Sequence, residues 1–146
     1  MRSTLAGVLT ASLLLAGCAG GGRAETPQPT VAASEAFPEV QRDVAALPGV
    51  LDADLTYTDD VTRGYGISGT VTLAEGVDAV QVLDDVYATL WTFQGFEPAL
   101  IRVVAEVDGV QVATAQDLGS PTDGLAQVPL RERYGPWPGA GPTARA

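Results

Sequence analysis

Histidine, lysine and asparagine are absent from these 146 residues, and cysteine occurs once. Without histidine, a Ser–His–Asp triad, a Cys–His pair and a histidine-ligated zinc are all excluded. One cysteine excludes an intrachain disulfide, so stability has to come from packing. No Gly-rich phosphate loop follows a strand, because the run Gly20-Gly21-Gly22 belongs to no βα pattern. Cations are scarce too: eight Arg stand against 18 acidic residues, a formal charge of −10. No basic stripe with interleaved aromatics exists, which excludes nucleic-acid binding. No apolar run reaches the roughly 20 residues of a membrane-spanning helix. These absences leave no familiar catalytic constellation and no implied cofactor or metal, so the expectation is a protein that is not an enzyme.

What the chain does have begins at its start. Arg2 supplies a positive n-region, and Leu5 to Ala16 form an apolar run of export-signal length. The run closes on Leu15-Ala16-Gly17-Cys18, with small residues ahead of the only thiol. That tetrapeptide resembles the lipobox of bacterial lipoproteins. The resemblance implies that residues 1–17 are a cleaved signal peptide and that Cys18 carries a thioether-linked diacylglycerol, often with a further acyl chain such as palmitate on its amine. Each buried methylene contributes about 0.8 kcal/mol, and two or more chains give stable anchoring. The implied location is the extracytoplasmic face of the cell membrane.

Residues 18–36 read as the lipidated cysteine and a linker, flexible at Ala19-Gly20-Gly21-Gly22 and stiffer at Thr26-Pro27-Gln28-Pro29-Thr30. Eighteen residues of flexible coil span roughly 23 Å, several Debye lengths at physiological salt. The mature chain would keep seven Arg against 18 acidic residues. Such a body is repelled by anionic head groups and suits a basic partner or cations.

The folded part is expected over residues 37–134. Pro38 fits a first helical position, and Val40, Val44 and Leu47 recur at helical spacing before Pro48-Gly49 stops the helix. From Val50 to Thr58, Leu51, Ala53, Leu55 and Tyr57 alternate with Asp52, Asp54, Thr56 and Thr58, the signature of a half-buried strand. After a turn at residues 59–64, Tyr65, Ile67, Val71 and Leu73 mark a second strand pairing antiparallel with the first. Val77 to Phe93 is the strongest helical stretch, with Val80, Leu83, Tyr87, Leu90 and Trp91 as its apolar stripe and Asp84 among the outward residues. Ala99 to Val107 and Val110 to Ala115 form a hairpin across Asp108-Gly109, suited to a type I′ turn. Leu125 to Tyr134 is ambiguous, and Pro129 allows only a short helix carrying Leu130 and Tyr134. Residues 135–146, rich in Pro, Gly and Ala, read as a disordered tail.

The element order αββαββ predicts an α+β two-layer sandwich, with helices on one face of a mainly antiparallel sheet. Its first five elements, with Gly69-Thr70-Val71-Thr72-Leu73 followed by Val77, resemble BON domains. Those are periplasmic modules often linked to membrane attachment.

The chemistry available is carboxylate and guanidinium. Asp52 and Asp54 share one strand face, with Asp59 and Asp60 in the following turn. Such a cluster suits calcium, paired acid–base work, a partner contact, or a solvated edge that discourages aggregation. Arg131 and Arg133 flank Glu132 and suit bidentate grip on an anion or a partner's carboxylate, or an ion pair with Glu132 or the acidic body. The expected role is a non-catalytic binding or structural module of the envelope, attached to the membrane through Cys18 and meeting a protein partner. The alternative is a small-ligand sensor or accessory subunit with an apolar pocket between sheet and helices, near Tyr57, Tyr65, Tyr87 and Trp91.

Overall fold

The computed structural model describes residues 31–140 apart from 61 and 63. The expected export signal, the expected lipid site Cys18, the expected linker up to residue 30 and the expected tail from residue 141 lie outside the described residues.

The first helix, α1 (Ala33–Ala45), begins a turn earlier than Pro38 suggests. Ala33, Ala36, Phe37, Val40 and Val44 are its buried residues, a stripe at helical spacing whose first members are small alanines. Pro38 therefore sits inside the helix as its sixth residue, where it removes the donor that would otherwise meet the Ser34 carbonyl. Gly49, at φ 88°, takes the left-handed conformation that turns the chain into β1 (Val50–Asp60).

β1 pairs antiparallel with β2 (Gly64–Leu73) through a register that matches Ala53 with Val71 and Tyr57 with Ile67. The register shifts between Val50 and Asp52. Leu51, expected to face inward, is the extra residue of this bulge and is 68% exposed. From Ala53 onward the expected alternation holds, with Ala53 and Leu55 buried and Asp52, Asp54, Thr56 and Thr58 exposed.

Next comes α2 (Ala79–Trp91), capped by Asp78, whose carboxylate accepts the Gln81 amide at 3.1 Å. The helix carries the chain back across the sheet to β3 (Leu100–Val107), which lies parallel to β2. The expectation of a mainly antiparallel sheet is corrected here: the sheet is mixed. Two neighbouring strands joined by a helical crossover must run the same way. β4 (Val110–Ala113) returns antiparallel through Asp108 and Gly109, both at positive φ (51° and 76°), as a type I′ turn requires.

A two-residue β5 (Leu125–Ala126) pairs with the first half of β3, and β4 pairs with the second half. Val103 falls in the gap between them. The order is β1-β2-β3-β4 with β5 beside β3, so αββαβ is followed by two strands and a helix rather than by one strand. That helix, α3 (Gln127–Tyr134), buries Leu130. α1, α2 and the odd-numbered residues of β1 to β3 share one buried cluster, which makes the domain α+β with its core on one side of the sheet.

The chain does not become a loose tail at Gly135. Trp137 is buried, its indole N–H donates to the Phe93 carbonyl at 3.0 Å, and a short 3-10 turn covers Pro138–Ala140. Trp91 answers by donating to the Gly135 carbonyl at 3.0 Å. Two indole donors thus fasten residues 135–137 to the end of α2.

Candidate functional site

Four carboxylates on β1 and two arginines on α3 were the expected chemistry, and the fold treats them differently. Asp52 and Asp54 project from the side of the sheet that no helix among the described residues covers, opposite Thr72 and Thr70. On that open face the even-numbered residues of β1 to β3, with Gln111 of β4, form rows across the strands. Thr56, Ser68 and Arg102 make one row, and Asp52, Thr72, Glu106 and Gln111 make another. Serine and threonine hydroxyls, three carboxylates and one guanidinium therefore define a wet face.

Asp59 and Asp60 lie at the far end of β1. Asp60 accepts from the Thr62 amide at 2.8 Å and from its hydroxyl at 2.6 Å, a local turn contact. Asp60 lies eight residue steps along the strand from Asp52, roughly 26 Å at the usual rise. The four expected carboxylates do not converge. Among the described residues, no group of three or more potential metal ligands comes together.

Arg131 and Arg133 are both engaged within the domain, and neither pairs with Glu132. Arg131 forks onto Glu97, with Nε and Nη2 donating to its two oxygens at 2.6 and 2.7 Å. This bidentate contact raises the Arg131 pKa above its ordinary value. Arg133 donates to Asp84 at 2.7 Å and to the Leu118 carbonyl at 3.3 Å. The Tyr134 hydroxyl donates to the same Asp84 oxygen. Asp84, expected to face solvent, is therefore the fastening point between α2 and α3. The Arg133 hydrogen bond holds its carboxyl below the usual range, against the opposing effect of burial. Burial first, and then Asp84, push the Tyr134 hydroxyl up. Spacing alone could not find Asp84, because its partners lie 49 and 50 residues away.

The pocket anticipated beneath Trp91 is filled. Tyr87 is 0% exposed and Trp91 2%, both packed within the core. Tyr57 contributes instead to an aromatic cluster with Phe37, Phe93 and Phe96, in which Phe93 and Phe96 meet edge-to-face at 4.8 Å. Shallow hollows among the described residues include one beside Tyr65 and one on α1. The first, of about 290 Å³, opens at the end of β2 and β3, where Gly66 leaves a backbone floor between Thr58, Ser68, Leu100 and Arg102. The other, of about 190 Å³, runs between α1 and residues 92–94. Arg102 in the first is paired with Asp123 at 3.2 Å. Neither hollow has the enclosed apolar lining that a small-molecule site needs.

No helix among the described residues is long and apolar enough to cross a membrane. Comparison with family models, with characterised proteins and with solved structures finds no match.

Proposed function

We propose that this chain is an exported bacterial lipoprotein: a non-catalytic binding or structural module of the cell envelope, tethered through lipid on Cys18. The observation that carries the reading is the position of the only thiol, directly after Leu15-Ala16-Gly17 at the end of an export-type apolar run. In this reading the linker holds an acidic domain clear of the head groups on the extracytoplasmic side. The domain meets a protein partner through its surface, since its core is filled and its hollows are shallow. The contact surface is the helix-free sheet face with Asp52 and Asp54, together with the loops at either end of the sheet. The order αββαβ also supports the BON-like comparison, with β4, β5 and α3 added after it. A fold analogy of this kind carries no specific partner.

Fractionation tests the reading. The native chain should partition with membranes, and Cys18→Ala should move it to the soluble fraction. A Cys18→Ala protein that stays with membranes overturns the anchor. A pull-down from native envelope that returns no partner overturns the binding role.

A further inference from the structure

We propose that the outer edge of β1, from Ala53 to Asp59, takes up an extended basic segment of a partner protein as an added strand. The inference rests on the reading of the domain as a binding module and names the kind of partner it binds. β1 is 11 residues long and ends the strand order β1-β2-β3-β4 on one side. Its backbone direction can be read from one contact: the Ala53 carbonyl accepts the Gln41 side-chain amide at 3.1 Å, and so points away from β2. In an antiparallel ladder every second residue turns both backbone groups to the same edge. Leu55, Tyr57 and Asp59 therefore turn theirs outward with Ala53. Among the described residues, no backbone hydrogen bond from elsewhere in the chain meets those three. A run of outward donors and acceptors of this length is a template for strand addition.

The charge on the edge decides which strand fits. β1 contains acidic residues at Asp52, Asp54, Asp59 and Asp60 and no basic one, with Asp52 and Asp54 on the open face and Asp59 on the helix side. Two copies pairing through this edge would bring two acidic fringes together, on chains that each carry a formal charge of −10. Asp52 and Asp54 attract a strand bearing Lys or Arg on the open-face side, and Asp59 adds negative charge at the end of the edge. On the helix side, half-buried Tyr57, packed 4.8 Å from the buried Phe37 ring, offers an apolar border for the alternate side chains. The fitting partner is thus an extended segment that alternates basic and apolar residues. The opposite edge, β4, has only four residues and an irregular register with β3, and offers a much shorter template.

The test uses the full chain in neutral detergent micelles and two nine-residue peptides of alternating Lys and Val. One is unmodified. The other carries N-methyl groups on the amides that would pair, which keeps its charge and removes its strand hydrogen bonds. The unmodified peptide should bind at least tenfold tighter, slow amide exchange at Leu55, Tyr57 and Asp59, and weaken as salt rises. The variant Asp52→Asn/Asp54→Asn/Asp59→Asn should lose tenfold or more for the unmodified peptide while keeping its fold by circular dichroism. Equal binding of the two peptides, protection confined to Val110–Val112, or no binding at all would each overturn the proposal. The titration involves no bilayer, so its failure leaves the lipid anchor standing, and an unlipidated Cys18 leaves the titration unaffected.

Discussion

The Tyr87 hydroxyl and the Val103 backbone hold each other by two hydrogen bonds, the hydroxyl donating to the carbonyl at 3.1 Å and accepting from the amide at 3.0 Å. Val103 lies in the gap where β5 has ended and β4 has not begun, so no strand reaches its outward groups. One phenol on α2 does the work of the missing ladder rung. Both residues are fully buried, and an unmet backbone group there costs about 1–3 kcal/mol.

Tyr87→Phe keeps the ring and removes both contacts, leaving two buried groups without a partner. The expected loss is about 2–4 kcal/mol in urea unfolding, with no change of fold. A loss below about 0.5 kcal/mol would show that water or a shifted strand meets Val103 instead.

The same residue governs alkaline stability. Burial pushes the Tyr87 pKa from 10.0 up to about 12. A folded-state value above the unfolded one means that this contribution is fully present below pH 10 and is lost as pH rises through about 12. Tyr134, also raised, acts in the same direction. Urea midpoints measured from pH 8 to 12 should fall steeply above pH 10 in the native chain. In Tyr87→Phe the fall should be smaller by about 2–3 kcal/mol over that range. Parallel curves would contradict the assignment.

Gly69 stands at φ 150°, and a Cβ there would collide with the Asp54 carbonyl oxygen across the β1–β2 pair. Gly69→Ala should therefore cost about 3 kcal/mol or more, through backbone strain together with a forced opening of the ladder. Gly109→Ala in the turn, with open space around its Cβ position, should cost less, about 1 kcal/mol. Thermal melts of the two variants check the order, and equal losses would contradict it.

The Asp84–Arg133 pair joins α2 to α3 with side chains 27% and 38% exposed, so solvent screens it. A double-mutant cycle of Asp84→Ala and Arg133→Ala should give a coupling of about 0.5–1 kcal/mol. Asp84, held below its usual pKa, adds stability that is present above pH 4 and lost as pH falls through its lowered value. A cycle that closes at zero coupling would show that the Asp84–Arg133 pair adds nothing to the attachment of α3, leaving it to Leu130, Tyr134 and the Arg131–Glu97 pair.

Metal should leave the domain unmoved. The β1 carboxylates are spread along a strand rather than gathered, so thermal melts with calcium and with chelator should coincide. A rise of several degrees with calcium would contradict this.

Much of the fold was readable because apolar and polar residues alternate cleanly along β1 from Ala53 and along β3, and because α2 carries a continuous apolar stripe. The type I′ turn followed from Asp108-Gly109 for the same reason: local chemistry dictated it. What escaped reading was set by distant parts of the chain. Leu51 continues the alternation in the sequence, yet a bulge turns it outward. Ala33 and Ala36 bury against the core, but alanines in a linker-like stretch give a weak periodic signal. Trp137 lies among Pro and Gly, and its burial depends on a carbonyl 44 residues earlier. The parallel β2–β3 pair was implicit in the crossover helix, and the rest of the order masked it. Of the candidate residues, Asp52 and Asp54 stand exposed on the open face as their alternation implied. The roles of Arg131 and Arg133 depended on Glu97 and Asp84, which only the folded chain brings near.

The central claim is a lipid on the first residue of the mature chain, and intact mass spectrometry of the membrane-extracted protein tests it most directly. The account predicts a chain that starts at Cys18 and carries a diacylglycerol on its sulfur. A chain with a bare thiol at residue 18, or one that still holds residues 1–17, would contradict it.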